Sequence, residues 1–480
     1  MLKRLVMITG KILKTYGWPE GKIIGLAKSA AEDLAKTGLE QDAILVWLDG
    51  VREEPGKYLA DPTFAALARE CLRRSKMPYD EAEDIVRDQP ASFAVWGESL
   101  IEGQVVAQME NAMRLPVAVQ GALMPDAHVG YGLPIGGVLA ADDAVIPYAV
   151  GVDIGCRMRL SIYDVSPIVL GQRRAEFRNA LLDRTRFGLR EGWELRDRPD
   201  HPVLDDPAWE ATRLLKSLKI KAQQQLGTSG SGNHFVEWGA FRLYADDEQL
   251  GLDAGEYLAL LSHSGSRGVG FKIANTYTEL ASREHPRLDA SLRHLAWLSL
   301  SSEAGQEYWL SMELAGRFAS ANHAVIHQRV AAAMKLRSAA VVENFHNFAF
   351  RETLANGARA IIHRKGATPA GAGVLGVIPG SMGDAGYVVR GRGSEEALNS
   401  ASHGAGRRMS RRAAFESITK TARDAYLRER GVTLLGGNVD ESPQAYKDIE
   451  TVVAAQNDLI DVLGKFTPRL VRMAEEVGEF

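Results

Sequence analysis

Short apolar segments that end in loops rich in glycine, serine or asparagine recur from about residue 100 onward, and they limit the possible folds most strongly. Residues 117–124, 144–152 and 258–262 are apolar and strand-like. A long helix is predicted over residues 303–330, where apolar side chains recur at helical spacing. The pattern predicts a mixed α/β fold with a mixed β-sheet core and glycine-rich loops at the strand ends.

Composition limits the classes of function. The chain has 480 residues, 45% hydrophobic and 25% charged, which is typical of a soluble globular protein of two to four domains. The net charge of −4 excludes a polycation, so any binding of nucleic acid must use a local patch. Two cysteines, Cys71 and Cys156, exclude a disulfide framework and favour a reducing compartment. Because no apolar run approaches the roughly 20 residues of a membrane span, we expect a cytoplasmic protein with no membrane partner.

The first 90 residues have a different character. Apolar residues at helical spacing predict a helix over residues 21–37, which Gly38 ends. A second apolar stripe follows the N-cap residue Asp61 and includes Cys71, which we assign to a core face and not to a metal site. Residues 77–92 are acidic, contain two prolines and are interpreted as a linker. We therefore predict a small helical N-terminal segment with an acidic linker over residues 1–90, and a catalytic domain over residues 91–480.

A carboxylate and a thiol lie three residues apart in the segment 149–158, at Asp153 and Cys156. On its own this pattern indicates a buried cysteine beside a surface aspartate. Three histidines in separate loops, His234, His263 and His346, make a metal site the better interpretation. The set could hold one ion or two. Cysteine and histidine suit zinc, whereas an aspartate with open coordination positions suits manganese or magnesium chemistry on phosphates.

A histidine between small residues is the candidate nucleophile. Ser402 and Gly404 flank His403, so no bulky side chain blocks the approach of another molecule. A neutral imidazole is nucleophilic near pH 7 without a separate base, and His403 could also act as a general acid. Four arginines follow within nine residues and could form either a phosphate-binding patch or a solvated basic helix face: Arg407, Arg408, Arg411 and Arg412.

Three other features have two readings each. The glycine- and serine-rich residues 227–232 could hold phosphate through backbone N–H groups or form a flexible turn, and they do not match a Walker loop. Asp126 and His128 could serve a site or brace their loop by a hydrogen bond. His323 and His327 have the i, i+4 spacing of a metal-binding pair, but we favour a polar stretch of the long helix.

Taken together, these motifs resemble those of the RtcB family of RNA ligases, over roughly residues 100–450. The resemblance is specific because six separate motifs occur in the family's order. They are Pro125-Asp126-x-His128-x-Gly130, Gly151-Val152-Asp153-Ile154-Gly155-Cys156, Gly232-Asn233-His234-Phe235, His263-Ser264-Gly265-Ser266-Arg267-Gly268, His363-Arg364-Lys365-Gly366-Ala367-Thr368 and His403-Gly404-Ala405-Gly406-Arg407.

The resemblance implies an RtcB-like fold with glycine-rich loops at a dinuclear metal site, and a reaction. Such ligases join RNA ending in a 3′-phosphate or 2′,3′-cyclic phosphate to RNA with a 5′-hydroxyl, in RNA repair or tRNA splicing. They use GTP and two Mn²⁺ ions, and an archease-like activator can be required. By analogy His403 would attack the α-phosphate of GTP and carry GMP before the RNA receives it. The implied metal ligands are Cys156 as the bridge, His234 and His263 at one ion, and Asp153 and His346 at the other.

The resemblance also implies a nucleotide site. Asn233 and the loop 379–382 would hold phosphates, Glu237 would accept a hydrogen bond from the guanine amine, and Tyr446 would stack on the base. The full set of residues implied for nucleotide binding is Asn233, His234, Phe235, Val236, Glu237, His346, Asn347, Pro379, Gly380, Ser381, Met382, His403, Gly404, Ala405, Gly406 and Tyr446.

The chain departs from the family pattern at several points. Arg157 follows the cysteine where the family has glycine, Pro369 and Ala370 replace an Arg-Ala pair, and Gly386 replaces a base-contacting serine. The guanine-reading lysine near the family's C-terminus is missing from the last residues. The first 90 residues have no counterpart in the family pattern. We therefore expect a divergent paralogue with a weaker preference for GTP over ATP.

Two other functions remain open at this stage. The chain could be a two-metal phosphoesterase that processes RNA ends, or a non-catalytic protein that binds them. A covalent nucleotide on His403 would separate the ligase from both alternatives, and phosphate release without such an adduct would select the phosphoesterase.

Overall fold

The computed structural model describes residues 8–19, 21–74 and 84–475, and it confirms a mixed α/β fold with helices and several sheets. The α-helices are α1 Gly10–Thr15, α2 Lys22–Lys36, α3 Gln41–Glu53, α4 Ala65–Arg74, α5 Gly103–Met113, α6 Pro147–Val150, α7 Val169–Gln172, α8 Arg174–Arg184, α9 Arg213–Gln225, α10 Arg267–Glu284, α11 Glu303–Met334, α12 Arg411–Ser417, α13 Lys420–Glu429 and α14 Ile449–Ala454. The strands are β1 Phe93–Val95, β2 Ala118–His128, β3 Ile135–Ala141, β4 Ala144–Val145, β5 Arg157–Tyr163, β6 Phe235–Leu243, β7 Gly255–Ser264, β8 Leu298–Ser299, β9 Ala340–Phe345, β10 Asn347–Thr353, β11 Arg359–Lys365, β12 Ala367–Pro369, β13 Leu375–Ile378, β14 Gly386–Gly391, β15 Ser400–Ser402, β16 Thr433–Leu435 and β17 Ile460–Met473. Within these ranges no helix combines the length and the apolar character needed to cross a bilayer.

The larger sheet has the strand order β13-β14-β17-β6-β7-β5-β9, with β16 added in parallel to β17. Strands β6, β7, β5 and β9 are antiparallel neighbours. Because antiparallel neighbours alternate in direction, the starts of β5 and β6 lie at the same edge as the ends of β7 and β9. Four separate loops of the chain therefore meet at one edge of this sheet.

The smaller sheet has the order β1-β2-β3-β11-β10, in which β1 and β2 are parallel and the other pairs are antiparallel. It shares a hydrophobic cluster with the larger sheet, since Val138 and Ile362 of the smaller sheet pack in the same cluster as Ile378 and Val389. This shared core places β2 and β11 beside the loops of the larger sheet.

The long helix α11 is mostly buried and packs on one face of the larger sheet. It begins after Ser302, whose hydroxyl accepts a hydrogen bond from the Gly305 N–H at 3.0 Å, and ends at Lys335 in the left-handed conformation. The predicted helix over residues 303–330 is therefore confirmed, with four further residues at its C-terminal end. Its side chains pack in the same cluster as those of α9 and α10.

The N-terminal helices α1–α4 have a hydrophobic cluster of their own, built around Leu13, Ile24, Leu48 and Phe64. The predicted helix over residues 21–37 is observed as Lys22–Lys36, and the Asp61 carboxylate accepts hydrogen bonds from two backbone N–H groups just before α4. Cys71 packs against this cluster, as expected for a core face.

The N-terminal segment contacts the rest of the protein through α2 and α11. The Gln306 side chain donates a hydrogen bond of 2.5 Å to the Gly25 carbonyl, and Lys14 lies 3.6 Å from the Glu303 carboxylate. Part of the expected acidic linker, residues 77–83, lies outside the described residues. The division of the chain near residue 90 stays a prediction.

One predicted strand is wrong. Residues 144–152 form the two-residue strand β4 and then the short helix α6, which begins at Pro147. Proline has no N–H to donate to a sheet, and its fixed φ suits the first turn of a helix, so the apolar run leaves the sheet at this residue.

Candidate metal centre and nucleotide cavity

Three side chains at the shared sheet edge form a compact cluster of metal-ligand atoms. The ligand atoms of Cys156, His234 and His263 all lie within 4.8 Å of one another. The Cys156 Sγ atom is 3.1 Å from His263 Nε2 and 3.5 Å from His234 Nε2. His346 Nε2 is 3.0 Å from His263 Nε2, and Asp153 Oδ2 is 3.0 Å from His234 Nε2. The structure thus brings together all five residues expected to bind metal.

Two glycines make room for this convergence. Gly155 has a φ of +73°, which lets the loop between α6 and β5 turn so that Asp153 and Cys156 approach the same point. A side chain at Gly265 would collide with the Asp153 carboxylate, which occupies that space. Gly155 and Gly265, which belong to two different motifs, are therefore both needed for the Asp153 carboxylate to lie where it does.

The imidazoles of His263 and His346 are in the neutral form that can bind a metal ion. His263 Nδ1 lies 3.0 Å from the Asn233 carbonyl, which can only accept, so Nδ1 carries the proton and Nε2 keeps its lone pair. Burial lowers the pKa of His263 and of His346 well below the ordinary value, and both rings are neutral near pH 7. Neutral imidazoles with free Nε2 atoms are the form that binds metal.

The thiol and carboxylate also fit a metal ion. Burial, with the nearby Asp153 charge, raises the pKa of the Cys156 thiol well above its ordinary value. His346 Nδ1 is buried and has no hydrogen-bond partner among the described residues, and the buried Asp153 Oδ2 lies 3.0 Å from His234 Nε2, another of the expected ligands. A divalent cation would stabilise the thiolate and supply a partner for the carboxylate, so the donor set suits a Cys/His/Asp metal site.

His403 lies beside this cluster, with its ring 5.1 Å from the His346 ring. Its Nδ1 is 2.6 Å from Oδ2 of Asp126, and the same oxygen accepts hydrogen bonds from the backbone N–H groups of His403 and Gly404. Burial alone would raise the pKa of the Asp126 carboxyl, but its contact with the His403 ring holds that pKa below its ordinary value. Because the carboxylate accepts the Nδ1 proton, Nε2 is the nitrogen that carries the free lone pair.

This contact decides between the two roles considered for Asp126. His128 Nδ1 lies 3.0 Å from the backbone carbonyl of Asp126 and does not contact its carboxylate. The Asp126 side chain instead orients His403, on a strand 277 residues earlier in the chain.

The ligand cluster and His403 line a cavity of about 1450 Å³. Nine lysines and arginines line this cavity but only three aspartates and glutamates, although the whole chain carries a net charge of −4. A cavity with this excess of cations suits a polyanionic ligand.

Most residues expected to contact the nucleotide line the same cavity. Those are Asn233, His234, Phe235, His346, Asn347, Pro379, Gly380, Ser381, Met382, His403, Gly404, Ala405, Gly406 and Tyr446. Val236 and Glu237 do not line it, since both are buried within strand β6. Burial raises the pKa of the Glu237 carboxyl well above its ordinary value, and its Oε2 atom has no hydrogen-bond partner in the described parts of the chain.

The arginines after His403 are fixed by two acidic residues. Arg407 donates to the Asp440 carbonyl at 2.8 Å, lies 3.3 Å from the Glu441 carboxylate and has its guanidinium 5.1 Å from the Tyr446 ring centre. Arg411 pairs with the Asp440 carboxylate at 2.8 Å and also with Glu441. The alternative of a solvated basic helix face is therefore wrong for these two arginines, which face the cavity as an ordered, partly neutralised group.

Three other histidines, His323, His327 and His363, have structural roles. His323 and His327 are buried on α11, and both contact the Ser262 hydroxyl, at 2.6 and 2.8 Å. Neither histidine belongs to the ligand cluster, as expected from the sequence. Both are buried. His363 uses both ring nitrogens on backbone groups, at Ile146 and Leu139, and does not line the cavity.

Asn322 is a residue that sequence reasoning missed. Its Oδ1 accepts hydrogen bonds from the N–H groups of Gly227 and Thr228, and its Nδ2 donates to the Thr228 carbonyl and to the Ser264 hydroxyl. It thereby ties the loop before His234 to the end of β7, which carries His263. No spacing signal marks an asparagine in the middle of a long helix as a partner of loops about 60 and 95 residues earlier.

The departure at Arg157 is accommodated away from the cavity. The Arg157 side chain is buried, pairs with Glu343 at 2.7 Å and lies 4.1 Å from the centre of the Phe345 ring. Residues 156 and 157 point to opposite sides of the strand, so the arginine does not displace the thiol. Gly386 lies in β14 and is not among the residues that line the cavity.

A buried cluster of metal ligands, an oriented imidazole and a cation-lined cavity together define the class of site that transfers phosphoryl or nucleotidyl groups. The family model described as tRNA-splicing ligase RtcB matches residues 108–210 and 206–474. The RNA-splicing ligase RtcB of Escherichia coli (strain K12) is 32% identical over 412 residues, which cover 79% of this chain and 97% of that protein. The tRNA-splicing ligase RtcB of Nanoarchaeum equitans is 31% identical over 438 residues, with 77% of this chain and 92% of that protein covered. The RNA-splicing ligase RtcB homolog 2 of Entamoeba dispar is 27% identical over 474 residues, covering 85% and 86%.

The chain belongs to the RtcB family. This confirms the family, and with it the class of enzyme, an RNA ligase, that the sequence motifs indicated.

Proposed function

We propose that this chain joins RNA ending in a 3′-phosphate or 2′,3′-cyclic phosphate to RNA with a 5′-hydroxyl, using GTP and two Mn²⁺ ions, through a His403–GMP intermediate. The observation that carries the proposal is the contact between Asp126 and His403 Nδ1, at 2.6 Å. It leaves Nε2 as the nucleophilic nitrogen, in a cavity that the metal-ligand cluster also lines.

The first step forms a phosphoramidate. The Nε2 lone pair attacks the α-phosphorus of GTP, the bond to the pyrophosphate oxygen breaks, and pyrophosphate leaves with the electron pair. The proton on Nδ1 stays in place, and the buried Asp126 carboxylate stabilises the positive charge that the ring acquires.

Two further steps complete the joining. An oxygen of the RNA 3′-phosphate attacks the phosphorus of the adduct, and the electrons of the N–P bond return to Nε2. The 5′-hydroxyl oxygen then attacks the activated 3′-phosphate, loses its proton and expels GMP. A 2′,3′-cyclic end must first be opened by water to a 3′-phosphate, because the monoanionic cyclic diester lacks the nucleophilic terminal oxygens of the dianionic monoester.

The ligand cluster would hold the Mn²⁺ ions. The Cys156 Sγ atom contacts both His234 and His263, and Asp153 and His346 adjoin these histidines, so the five side chains could hold the ions, with Cys156 as the proposed bridge. When bound, divalent ions supply positive charge that neutralises phosphate oxygens as the bonds change.

The nucleotide would lie between the cluster and Tyr446. Asn233 and the loop 379–382 line the cavity and can hold phosphates, while Arg407, fixed against Tyr446, can neutralise the leaving pyrophosphate. We also propose a weaker preference for GTP over ATP, because Gly386 stands where the family has a base-contacting serine. We also propose that the protein acts in the cytoplasm and that an archease-like activator could assist it.

Incubation with Mn²⁺ and α-labelled GTP, followed by denaturing electrophoresis, tests the proposal. We expect a labelled protein band that is labile in acid and stable in alkali, as a phosphoramidate is. His403→Ala should lose the band, whereas His201→Ala, at a histidine outside the cavity, should keep it. Phosphate release from RNA ends without any adduct would select the phosphoesterase, and RNA binding without turnover would select the end-binding protein.

A further inference from the structure

An exposed aromatic ring lies on the wall of the cavity, on the loop between β2 and β3. Tyr131 is 68% exposed, between Gly130 and Gly132. Its ring centre is 6.4 Å from that of Tyr148 and 5.9 Å from that of His294, and the latter two rings are 4.8 Å apart. We call these three residues the aromatic platform. Tyr131 and Tyr148 both line the cavity that holds His403.

The backbone that carries Tyr131 is firmly held. The Gln108 side chain donates to the carbonyls of Gly130 and Gly132, at 2.5 and 2.8 Å, and accepts from the Gly130 N–H at 3.2 Å. The ammonium group of Lys365 donates to the Tyr131 carbonyl. A loop that merely connected two strands would not need four side-chain hydrogen bonds to hold an apolar ring in solvent, so the fixed ring points to a ligand.

The platform adjoins the nucleophile. Lys365 lies 5.0 Å from the centre of the Tyr148 ring, and the next residue, Gly366, is so close to His403 that a Cβ added to it would lie 3.2 Å from Cε1 of that ring. The Lys365 side chain on the platform therefore belongs to the residue next to the one that touches the His403 ring. The excess of lysines and arginines in the cavity suits a ligand that also has a phosphate backbone.

We propose that the aromatic platform stacks an unpaired base of the RNA substrate, next to the end that reacts at His403. The assignment rests on the proposed RNA-joining function. An exposed aromatic ring in a cavity lined by lysines and arginines is the arrangement that binds single-stranded nucleic acid without reading its sequence, because every base has a π face and each nucleotide has a phosphate. The platform would thus position RNA ends of differing sequence.

Equilibrium binding tests the platform without requiring catalysis. The probe is a fluorescein-labelled single-stranded RNA of about twelve nucleotides with a 3′-phosphate, followed by anisotropy at one fixed salt concentration. Tyr131→Ala should weaken binding roughly 5- to 100-fold, the range expected for the loss of one stacked base. Tyr131→Phe and Tyr131→Trp should bind within about twofold of the wild type, as should Tyr244→Ala, at a half-exposed tyrosine outside the cavity.

A set of probes with one abasic nucleotide at each of the last few positions separates stacking from a general disturbance. One position should weaken binding to the wild type but cause no further loss in Tyr131→Ala, since the partner ring is already gone. Unchanged binding by Tyr131→Ala, or abasic losses that are equal in both proteins, would overturn the proposal.

The adduct assay distinguishes failure of the platform from failure of the proposed function. Tyr131→Ala should form the labelled nucleotide adduct at the wild-type level, because the platform acts on RNA and not on GTP. A wild-type protein that forms no adduct but shows the abasic pattern would contradict the ligase mechanism and support the platform. A normal adduct without the abasic pattern would do the reverse.

Discussion

The Asp126 carboxylate is fully buried, and one of its oxygens contacts the His403 ring and two backbone N–H groups of the loop that carries this histidine. A hydrogen bond that involves a buried charge is stronger than one between neutral groups, so a single carboxylate both orients the ring and holds its loop. At the scale of the residue, the proposed nucleophile is therefore a pair of side chains, His403 and the carboxylate that orients it.

Asp126→Asn should slow the formation of the nucleotide adduct by about 10²–10⁴-fold, because an amide can still accept from the backbone but cannot stabilise the charged ring. Metal content should not change, since Asp126 is not in the ligand cluster. Single-turnover measurement with labelled GTP checks the rate. Asp142→Asn, at an exposed carboxylate just after β3, is the matched control. An unchanged rate in Asp126→Asn would show that this carboxylate does not assist the nucleophile.

Cys156→Ala should reduce bound metal more than the alanine substitution of any single histidine in the cluster, because the thiol lies against two of the imidazoles. If the thiolate bridges two ions, its removal takes a ligand from both. Elemental analysis after loading with Mn²⁺ measures the effect, and Cys71→Ala in the N-terminal cluster is the control. Full metal occupancy in Cys156→Ala would exclude the bridging role.

At the scale of the element, α11 supports the loops that carry the ligands. Asn322 contacts backbone or hydroxyl groups of the loop before β6 and of the end of β7, which are far apart in the sequence but adjacent at the sheet edge. Since both loops are rich in glycine, their conformations depend on such contacts more than those of regular strands do.

Asn322→Ala should lower the free energy of unfolding by about 1–3 kcal/mol, because it leaves the buried Gly227 N–H without its acceptor and removes the amide that donates to the Thr228 carbonyl. Urea denaturation measures this loss, and metal affinity should fall with it. Asn322→Asp keeps an acceptor for both N–H groups but loses the donors, so its loss of metal affinity should be smaller. Equal metal affinity in the wild type and Asn322→Ala would show that the loops hold their positions without this residue.

At the scale of the whole molecule, the N-terminal segment packs on α11 and contributes no residue to the ligand cluster. The two parts approach closely at Gly25, where an added Cβ would collide with the backbone of Ser301 and Ser302. The segment is thus docked on the helix that supports the proposed metal-binding loops, and its last helix ends at Arg74, 34 residues before the matched family region begins at residue 108.

Gly25→Ala should loosen this docking and destabilise the protein by roughly 1–3 kcal/mol, the usual cost of overpacking. Limited proteolysis within residues 1–90 should become faster, while Gly56→Ala, where an added Cβ meets nothing within 4 Å, should behave as the wild type.

Deleting residues 1–90 should spare metal binding and adduct formation but change RNA joining. Loss of bound metal in a folded truncation would contradict this division of roles.

The structure confirmed the predictions that depended on short stretches of sequence. The helix over residues 303–330 and the N-terminal helix over residues 21–37 follow from the spacing of apolar side chains, which acts within one element. The strand expected over residues 144–152 was wrong because the apolar run was weighed above Pro147, which starts a helix. The two readings of Arg407 and Arg411 could not be separated in sequence, because the acidic residues that hold them lie about 30 residues later.

The sequence by itself determined the kinds of atoms at the site: a thiol, three imidazoles and a carboxylate in loops that glycine allows to turn tightly, and a histidine between small neighbours. Motif order was enough to identify the family, because it depends on residue types and spacing alone. Only the tertiary structure decided that Asp126 serves His403, that Asn322 joins two loops and that Tyr131 faces the cavity. Each of these contacts joins segments that no local periodicity relates, and it forms because antiparallel strands and a shared core bring distant loops to one edge.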